Sequence, residues 1–152
     1  MTTAIAPQLA TGHIGLNVSD LDRSVEFYRR ALGFEQIAVG GDDRRWAFLG
    51  ADGKLVVTLW EQSDGAFSTE TPGLHHLSFQ VDTIDQVRVV ESVLRELAVN
   101  FAHDGVVAHG EGVASGGIFF TDPDGIRLEV YAPSGAESAP APSGTAPTCG
   151  FF

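Results

Sequence analysis

The chain repeats itself. His13-Ile14-Gly15-Leu16-Asn17-Val18-Ser19-Asp20-Leu21-Asp22 aligns with His76-Leu77-Ser78-Phe79-Gln80-Val81-Asp82-Thr83-Ile84-Asp85 at an offset of 63 residues. His, Val and Asp recur at matching positions, while Ile pairs with Leu, Leu with Phe and Asn with Gln. A chain that encodes one supersecondary unit twice buries the apolar face of each copy against its surroundings, so the unit largely determines the fold.

The unit can be read from its periodicities. Ile14, Leu16 and Val18 alternate with His13, Gly15 and Asn17, as Leu77, Phe79 and Val81 alternate with His76, Ser78 and Gln80, which predicts a strand in each copy. Helical spacing follows, at Leu21, Val25, Tyr28 and Leu32 and at Val87, Val90, Leu94 and Leu97. Ser19 or Asp20 is placed to cap the first helix, and Gly33 to end it. Each copy closes on two apolar runs split by Asp-Gly, at Trp46–Gly50 and Leu55–Trp60 and at Ile118–Thr121 and Ile126–Tyr131, the signature of a hairpin. A further short strand is expected at Gln36–Val39, with a weaker counterpart near Phe101–Val107. Each half therefore reads as βαβββ and the whole as α+β.

The expected organisation is an N-terminal arm (1–10), a first module (11–61), a Ser/Thr/Gly/Pro-rich linker (62–73), a second module (74–132) and a tail (133–152). The tail holds almost nothing apolar larger than Ala until Phe151-Phe152, so alone it would be extended or disordered. The two phenylalanines are suited to docking on a hydrophobic groove.

Twenty Asp+Glu against nine Lys+Arg give a net charge of −11, which repels nucleic acid. No apolar run reaches the ~20 residues of a membrane helix, and the opening residues lack the pattern of a signal peptide, so a cytoplasmic protein is expected. With Cys149 as the single cysteine, any metal site must draw on His, Asp or Glu.

Alternation places His13 and His76 at equivalent positions on the faces turned away from the helices, and Glu129, between Leu128 and Val130, on the same kind of face. Any one of these residues alone is an ordinary hydrogen-bonded or solvated side chain. Jointly, two imidazoles and a carboxylate form a ligand set for a divalent ion that leaves positions open for substrate. Fe2+, Mn2+, Ni2+, Co2+ and Zn2+ all accept it. His109, in a Gly-rich stretch, is a candidate catalytic acid or base, and His103 a weaker one. Thr58, Trp60 and Phe119 are candidate lining of a substrate pocket. Trp46 is more readily packed core, and Arg44-Arg45 a solvated turn, with an anion clamp at the pocket rim as the alternative. His75 is expected on the apolar side at the start of its strand.

These residues resemble the vicinal oxygen chelate superfamily, which includes glyoxalase I, extradiol dioxygenases, fosfomycin-resistance transferases, methylmalonyl-CoA epimerases and bleomycin-resistance proteins. The resemblance rests on Gly12-His13-Ile14, Val18 to Ser24, Phe27-Tyr28, Leu32-Gly33-Phe34 and Asp122-Pro123-Asp124-Gly125 leading into Leu128-Glu129-Val130, and it runs from Thr11 to Ala132. It implies a curved mixed sheet enclosing a metal and substrate cup, with His13, His76 and Glu129 matching three ligand positions. It also implies a substrate that chelates the ion through vicinal oxygens. The glutamate of glyoxalase I on the last strand of the first module is replaced by Thr58, and Glu61 has the wrong alternation unless the strand bulges. Phe119 stands about where dioxygenases and fosfomycin transferases carry a tyrosine. A lyase, dioxygenase or transferase is thus implied, with a non-catalytic antibiotic-sequestering protein as the alternative. Similar two-module chains exchange modules between subunits, so the resemblance implies a homodimer with His13 from one chain and His76 plus Glu129 from the other; the linker's length permits closure within a chain or exchange.

Overall fold

In a computed structural model of the chain, residues 5–152 are described; Met1–Ala4 of the expected N-terminal arm lie outside the described residues. The elements run β1 (Ile14–Val18), α1 (Leu21–Leu32), β2 (Glu35–Gly40), β3 (Trp46–Ala51), β4 (Lys54–Glu61), β5 (Leu77–Gln80), α2 (Ile84–Glu96), β6 (Val107–Ala108), β7 (Gly116–Thr121), β8 (Arg127–Ala132) and a short 3-10 turn at Thr148–Gly150. Two open four-stranded sheets result, ordered β1-β4-β3-β2 and β5-β8-β7-β6. In each, the first strand lies parallel to the last and the remaining pairs are antiparallel. This is the duplicated βαβββ architecture that the repeat predicts.

Local chemistry sets the boundaries. Asp20 caps α1 by accepting from the Arg23 N–H at 3.0 Å, and Gly33, at φ 70°, ends the helix in a left-handed conformation that a side chain would strain. Ser19, the other candidate cap, is used elsewhere. A Thr83–Gln86 capping box starts α2. Asp52 and Gly53, both at positive φ (51° and 74°), make the tight turn between β3 and β4. The weaker strand near Phe101–Val107 reduces to a single bridge, Phe101 to Phe120, and the two-residue β6.

The buried stripe of α1 is broader than, and rotated from, the one read from the sequence. Leu21, Ser24, Phe27, Tyr28 and Ala31 are buried, whereas Val25 and Leu32 are only partly so. The cause is tertiary: α1 packs on its own sheet and also on the second module, where Phe27 meets Phe120 at a centroid distance of 6.5 Å. One hydrophobic core runs through both modules, from Leu16, Val18 and Leu59 to Val87, Leu94 and Leu128.

The Asp122-Pro123-Asp124-Gly125 turn latches the modules together. Asp122 is buried. Its Oδ1 accepts from the N–H groups of Asp124 and Ile126, both at 2.9 Å, and its Oδ2 from the Tyr28 hydroxyl of α1 at 2.9 Å. Burial raises the Asp122 carboxyl above its usual range and drives the Tyr28 phenol well above its own. Asp124 accepts from the hydroxyl and amide of Ser19 and pairs with Arg23 at 3.1 Å.

Residues 133–152 form a strap against the second sheet. Its backbone makes Ala136 N–H to Ala114 O and Gly144 O to Glu111 N–H bonds, Pro140 O accepts from Ala108 N–H, and the Thr148 N–H and hydroxyl donate to His109 O and Ala108 O. Gly116 lies so close beneath it that a β-carbon there would stand 2.6 Å from that of Ala136.

Candidate metal and substrate site

On the second sheet, β8 places Glu129 between Ser78 of β5 and Phe119 of β7 in register. Its alternation turns it away from α2, yet Glu129 is only 3% exposed. A carboxylate buried this far is costly unless it is paired. Two imidazoles meet it: His109 Nε2 hydrogen-bonds Oε1, and His76 Nε2 lies 3.4 Å from Oε2. His109 is held from behind by Ser115 Oγ, 2.8 Å from Nδ1, and His76 Nδ1 lies 2.8 Å from Nδ1 of His75. Burial outweighs the attraction of Glu129 and lowers the His76 pKa below its usual range.

Phe119 is fully buried, ringed by His109, His103 and Phe152 at centroid distances of 6.2, 5.6 and 5.2 Å. The Nε2 atom of His103 is buried without a hydrogen-bond partner. His75 does not lie on an apolar side as expected. The strand begins only at Leu77, and His75, two residues before it, is exposed with its ring edge-on to His76.

The first sheet presents the equivalent face in a different dress. His13, Gly15 and Asn17 of that face are exposed. Thr58, opposite Gly15, is 1% exposed and accepts a 2.9 Å hydrogen bond from the Trp60 indole N–H. Trp46 and Phe48, paired across β3 and β4 with Trp60 and Thr58, complete an aromatic wall whose ring centroids are 4.7 to 6.3 Å apart. Trp46, expected in the core, is thus a half-buried member of this face.

Glu61 follows the alternation and stays on the helix side. Its Oε2 accepts from the Leu21 N–H at 2.7 Å, where a carboxylate complements the helix N-terminus. Arg45 pairs with Asp22 at 2.7 Å, which holds the Asp22 carboxyl below its usual range. That leaves Arg45 no role as an anion clamp. Sequence reasoning missed both of these pairings, as well as the Ser115 contact behind His109; the Gly-rich segment hid the last by lacking any periodicity.

Within the single chain, His76, His109 and Glu129 come together and His13 does not join them. No group of three His, Cys, Asp or Glu side chains among the described residues is arranged to hold a metal ion. The donor chemistry nevertheless fits one: a neutral imidazole and a buried carboxylate are adjacent, and a further imidazole, His13, stands at the equivalent position of the other module. His13 stands on the first face, and His76 and Glu129 on the second.

The duplicated βαβββ architecture, with each first strand parallel to the last, defines a class of small α+β proteins built on one repeated unit. Residues 10–130 match the profile of the glyoxalase/bleomycin resistance protein/dioxygenase superfamily, and the chain belongs to it. It is 28% identical over 133 residues to a catechol-2,3-dioxygenase of Bacillus subtilis (strain 168), covering 86% of this chain but only 44% of that relative. It is also 28% identical over 122 residues to glyoxylase I 4 of Arabidopsis thaliana, covering 78% and 67%. Among solved structures, a glyoxylase/bleomycin resistance protein/dioxygenase domain from Frankia sp. EAN1pec superposes with a TM-score of 0.73 at 26% identity, over 84% of this chain and 99% of that one. The fosfomycin resistance protein FosX of Listeria monocytogenes, in complex with Mn(II) and sulfate, shares the fold at a TM-score of 0.60 and 23% identity, over 84% and 95%. No helix among the described residues is long and apolar enough to cross a membrane.

Proposed function

We propose that the chain is a divalent-metal-dependent enzyme of glyoxalase or dioxygenase type, acting on a small substrate that chelates the metal through two neighbouring oxygens. His76 and Glu129 would hold the ion, and His13 from the first module of a second copy would complete the set. The observation that carries this reading is the buried Glu129 carboxylate, met by His76 and His109 with no Lys or Arg pairing it, while His13 stands exposed on the other sheet. The bound ion would supply Lewis acidity and a template for the two oxygens.

The chain's own residues then divide the remaining work. Burial lowers the His76 pKa, which favours the unprotonated ring whose lone pair a metal ion needs. Ser115 fixes His109, and His109 fixes one oxygen of Glu129, the outer-sphere support that orients a ligating carboxylate. To take a proton from a substrate hydroxyl, His109 would first have to give up one of these two contacts. Thr58 offers neither a ligand nor a base to replace the second glutamate of glyoxalase I, which favours dioxygenase- or transferase-type chemistry over hemithioacetal isomerisation.

Metal analysis tests the ligand set. About one ion per chain is expected, with loss in His13→Ala, His76→Ala and Glu129→Ala. Co-refolding His13→Ala with Glu129→Ala should restore metal to about one quarter of the sites if each site draws on two chains, since half the dimers are mixed and each mixed dimer has one intact site. Full occupancy in all three variants would rule the site out.

A second reading, sequestration of a flat antibiotic without catalysis, is favoured by the open aromatic wall of Trp46, Phe48 and Trp60. It requires tight antibiotic binding that survives removal of metal.

A further inference from the structure

The second-module face is covered by the chain's own C-terminus. The strap delivers Phe152 onto the rings of the site: its centroid lies 5.5 Å from that of His76 with a 35° tilt, and 5.2 Å from Phe119 edge-on. The Arg127 guanidinium carbon stands 5.4 Å from the same ring centre. Phe151, one residue away, points out and is 56% exposed. One of two adjacent identical side chains has been taken in, so the contact depends on a place for a ring and not on general stickiness of the tail.

We propose that this place is a binding subsite for a planar aromatic ring, and that the strap keeps it filled with Phe152 until a ligand displaces it. The inference rests on the reading that the chemistry takes place beside Glu129, and it adds a ligand class and an internal competitor to that reading. Three observations carry it.

The walls of the subsite select a π-system. An imidazole face, a phenyl edge and a guanidinium all gain from an aromatic ring in ways that a saturated ring of equal size does not match. The subsite also adjoins the reacting position, since His76, the ring against which Phe152 stacks, is itself 3.4 Å from Glu129.

Finally, the strap is built to let go. From Pro133 to Pro147 its only apolar side chains are alanines and prolines, so backbone hydrogen bonds, the buried Thr148 and the small buried Ala136 do most of the holding against β6, β7 and the His109 loop. An element with few buried apolar contacts opens at low cost compared with global unfolding. A ligand that needs the open form then binds more weakly in proportion to the closed fraction, so a strap closed nine-tenths of the time costs about tenfold in apparent affinity.

Cys149 serves as a native reporter. It lies in the strap, half-buried, and burial together with the nearby Glu129 carboxylate holds its thiol above the usual range. Its alkylation is therefore slow while the strap is closed.

The test compares full-length wild type, Phe152→Ala, Thr148→Val and the neighbouring control Phe151→Ala. Binding of 4-nitrocatechol, with trans-1,2-cyclohexanediol as the saturated comparison, is measured in EDTA, and iodoacetamide labelling of Cys149 is followed in parallel. Phe152→Ala and Thr148→Val should tighten 4-nitrocatechol binding about tenfold and speed Cys149 labelling by a similar factor. Phe151→Ala should stay within twofold, and the diol should not respond. An unchanged or weaker 4-nitrocatechol affinity in Phe152→Ala, or an equal gain for the diol, overturns the proposal. Because the probe is bound without metal and metal content is assayed separately, failure of the metal reading and failure of the strap are told apart.

Discussion

The two modules start from one pattern and finish with opposite surfaces. Module 1 leaves its sheet face open, with His13 exposed at the edge of an aromatic wall and Thr58 tied to Trp60. Module 2 closes the same face with the strap and gathers His76, His109 and Glu129 beneath it. The repeat explains what they share, namely the strand alternation, the helix and the hairpin. The difference comes from additions outside the repeat: the Gly-rich loop that brings His109, the tail that brings Phe152, and a glutamate where module 1 has a threonine. Duplication supplies the shared scaffold, and the unmatched residues make the two faces differ.

The sharpest way to break this comparison is to treat the faces as energetic equals. Phe120→Ala, in the core shared by both modules, should cost about 3–5 kcal/mol in a urea titration, whereas Trp46→Ala on the open face of module 1 should cost less than about 1.5 kcal/mol. Equal costs would mean that the open face is packed in solution, which is what a dimer joined through it would produce. Unfolding of Phe120→Ala in two separate steps would show that the modules do not depend on one another.

A smaller effect tests the latch. Asp122→Ala should cost about 3 kcal/mol, because it strands the Tyr28 hydroxyl and two backbone N–H groups. Asp122→Asn keeps an acceptor for those N–H groups and should cost under about 1 kcal/mol. The sign of its pH dependence follows from burial. The folded pKa of Asp122 lies above the unfolded value, so the folded state holds this proton more tightly than the unfolded chain does. The Asp122 contribution to stability is therefore greatest below the unfolded pKa and is lost as pH rises through the folded one. The stability difference between wild type and Asp122→Asn should move in favour of wild type on acidification, and the reverse slope would contradict the assignment of burial as the dominant cause.

The smallest prediction concerns Glu61, the carboxylate near the end of β4 that would have to stand in for the missing glutamate at Thr58. Glu61→Gln should lose about 0.5–1 kcal/mol of stability through α1 and leave metal binding unchanged. A fall in metal affinity would place Glu61 at the metal and move this family member toward glyoxalase I.

Much of this was legible in the sequence because it is written in short-range patterns. The period-two runs, the helix caps and the Asp-Gly turns each declare themselves within a few residues, and parity alone puts His13, His76 and Glu129 on the faces turned away from the helices. What stayed hidden depends on partners far apart. Nothing local shows that Tyr28 will donate to Asp122, that Phe27 will turn the buried side of α1 toward Phe120, or that His109 will reach Glu129 from a glycine-rich segment. The strap was hardest to read, since a Pro/Ala/Gly/Ser tail makes its contacts through its backbone and backbone contacts leave no mark on composition.

The latch also has a consequence for the order in which the molecule can be made. Tyr28 meets its carboxylate partner only 94 residues further along the chain. On the ribosome the first module would therefore emerge complete in its hydrogen-bonded sheet but with α1 unfinished on its outer side, its phenol lacking the acceptor it has when buried and Phe27 facing water. It must wait through the whole linker and most of the second module before Asp122 and Phe120 arrive. During that interval the outer side of α1 stays uncovered, so the first module reaches its full packing only once most of the second has been made.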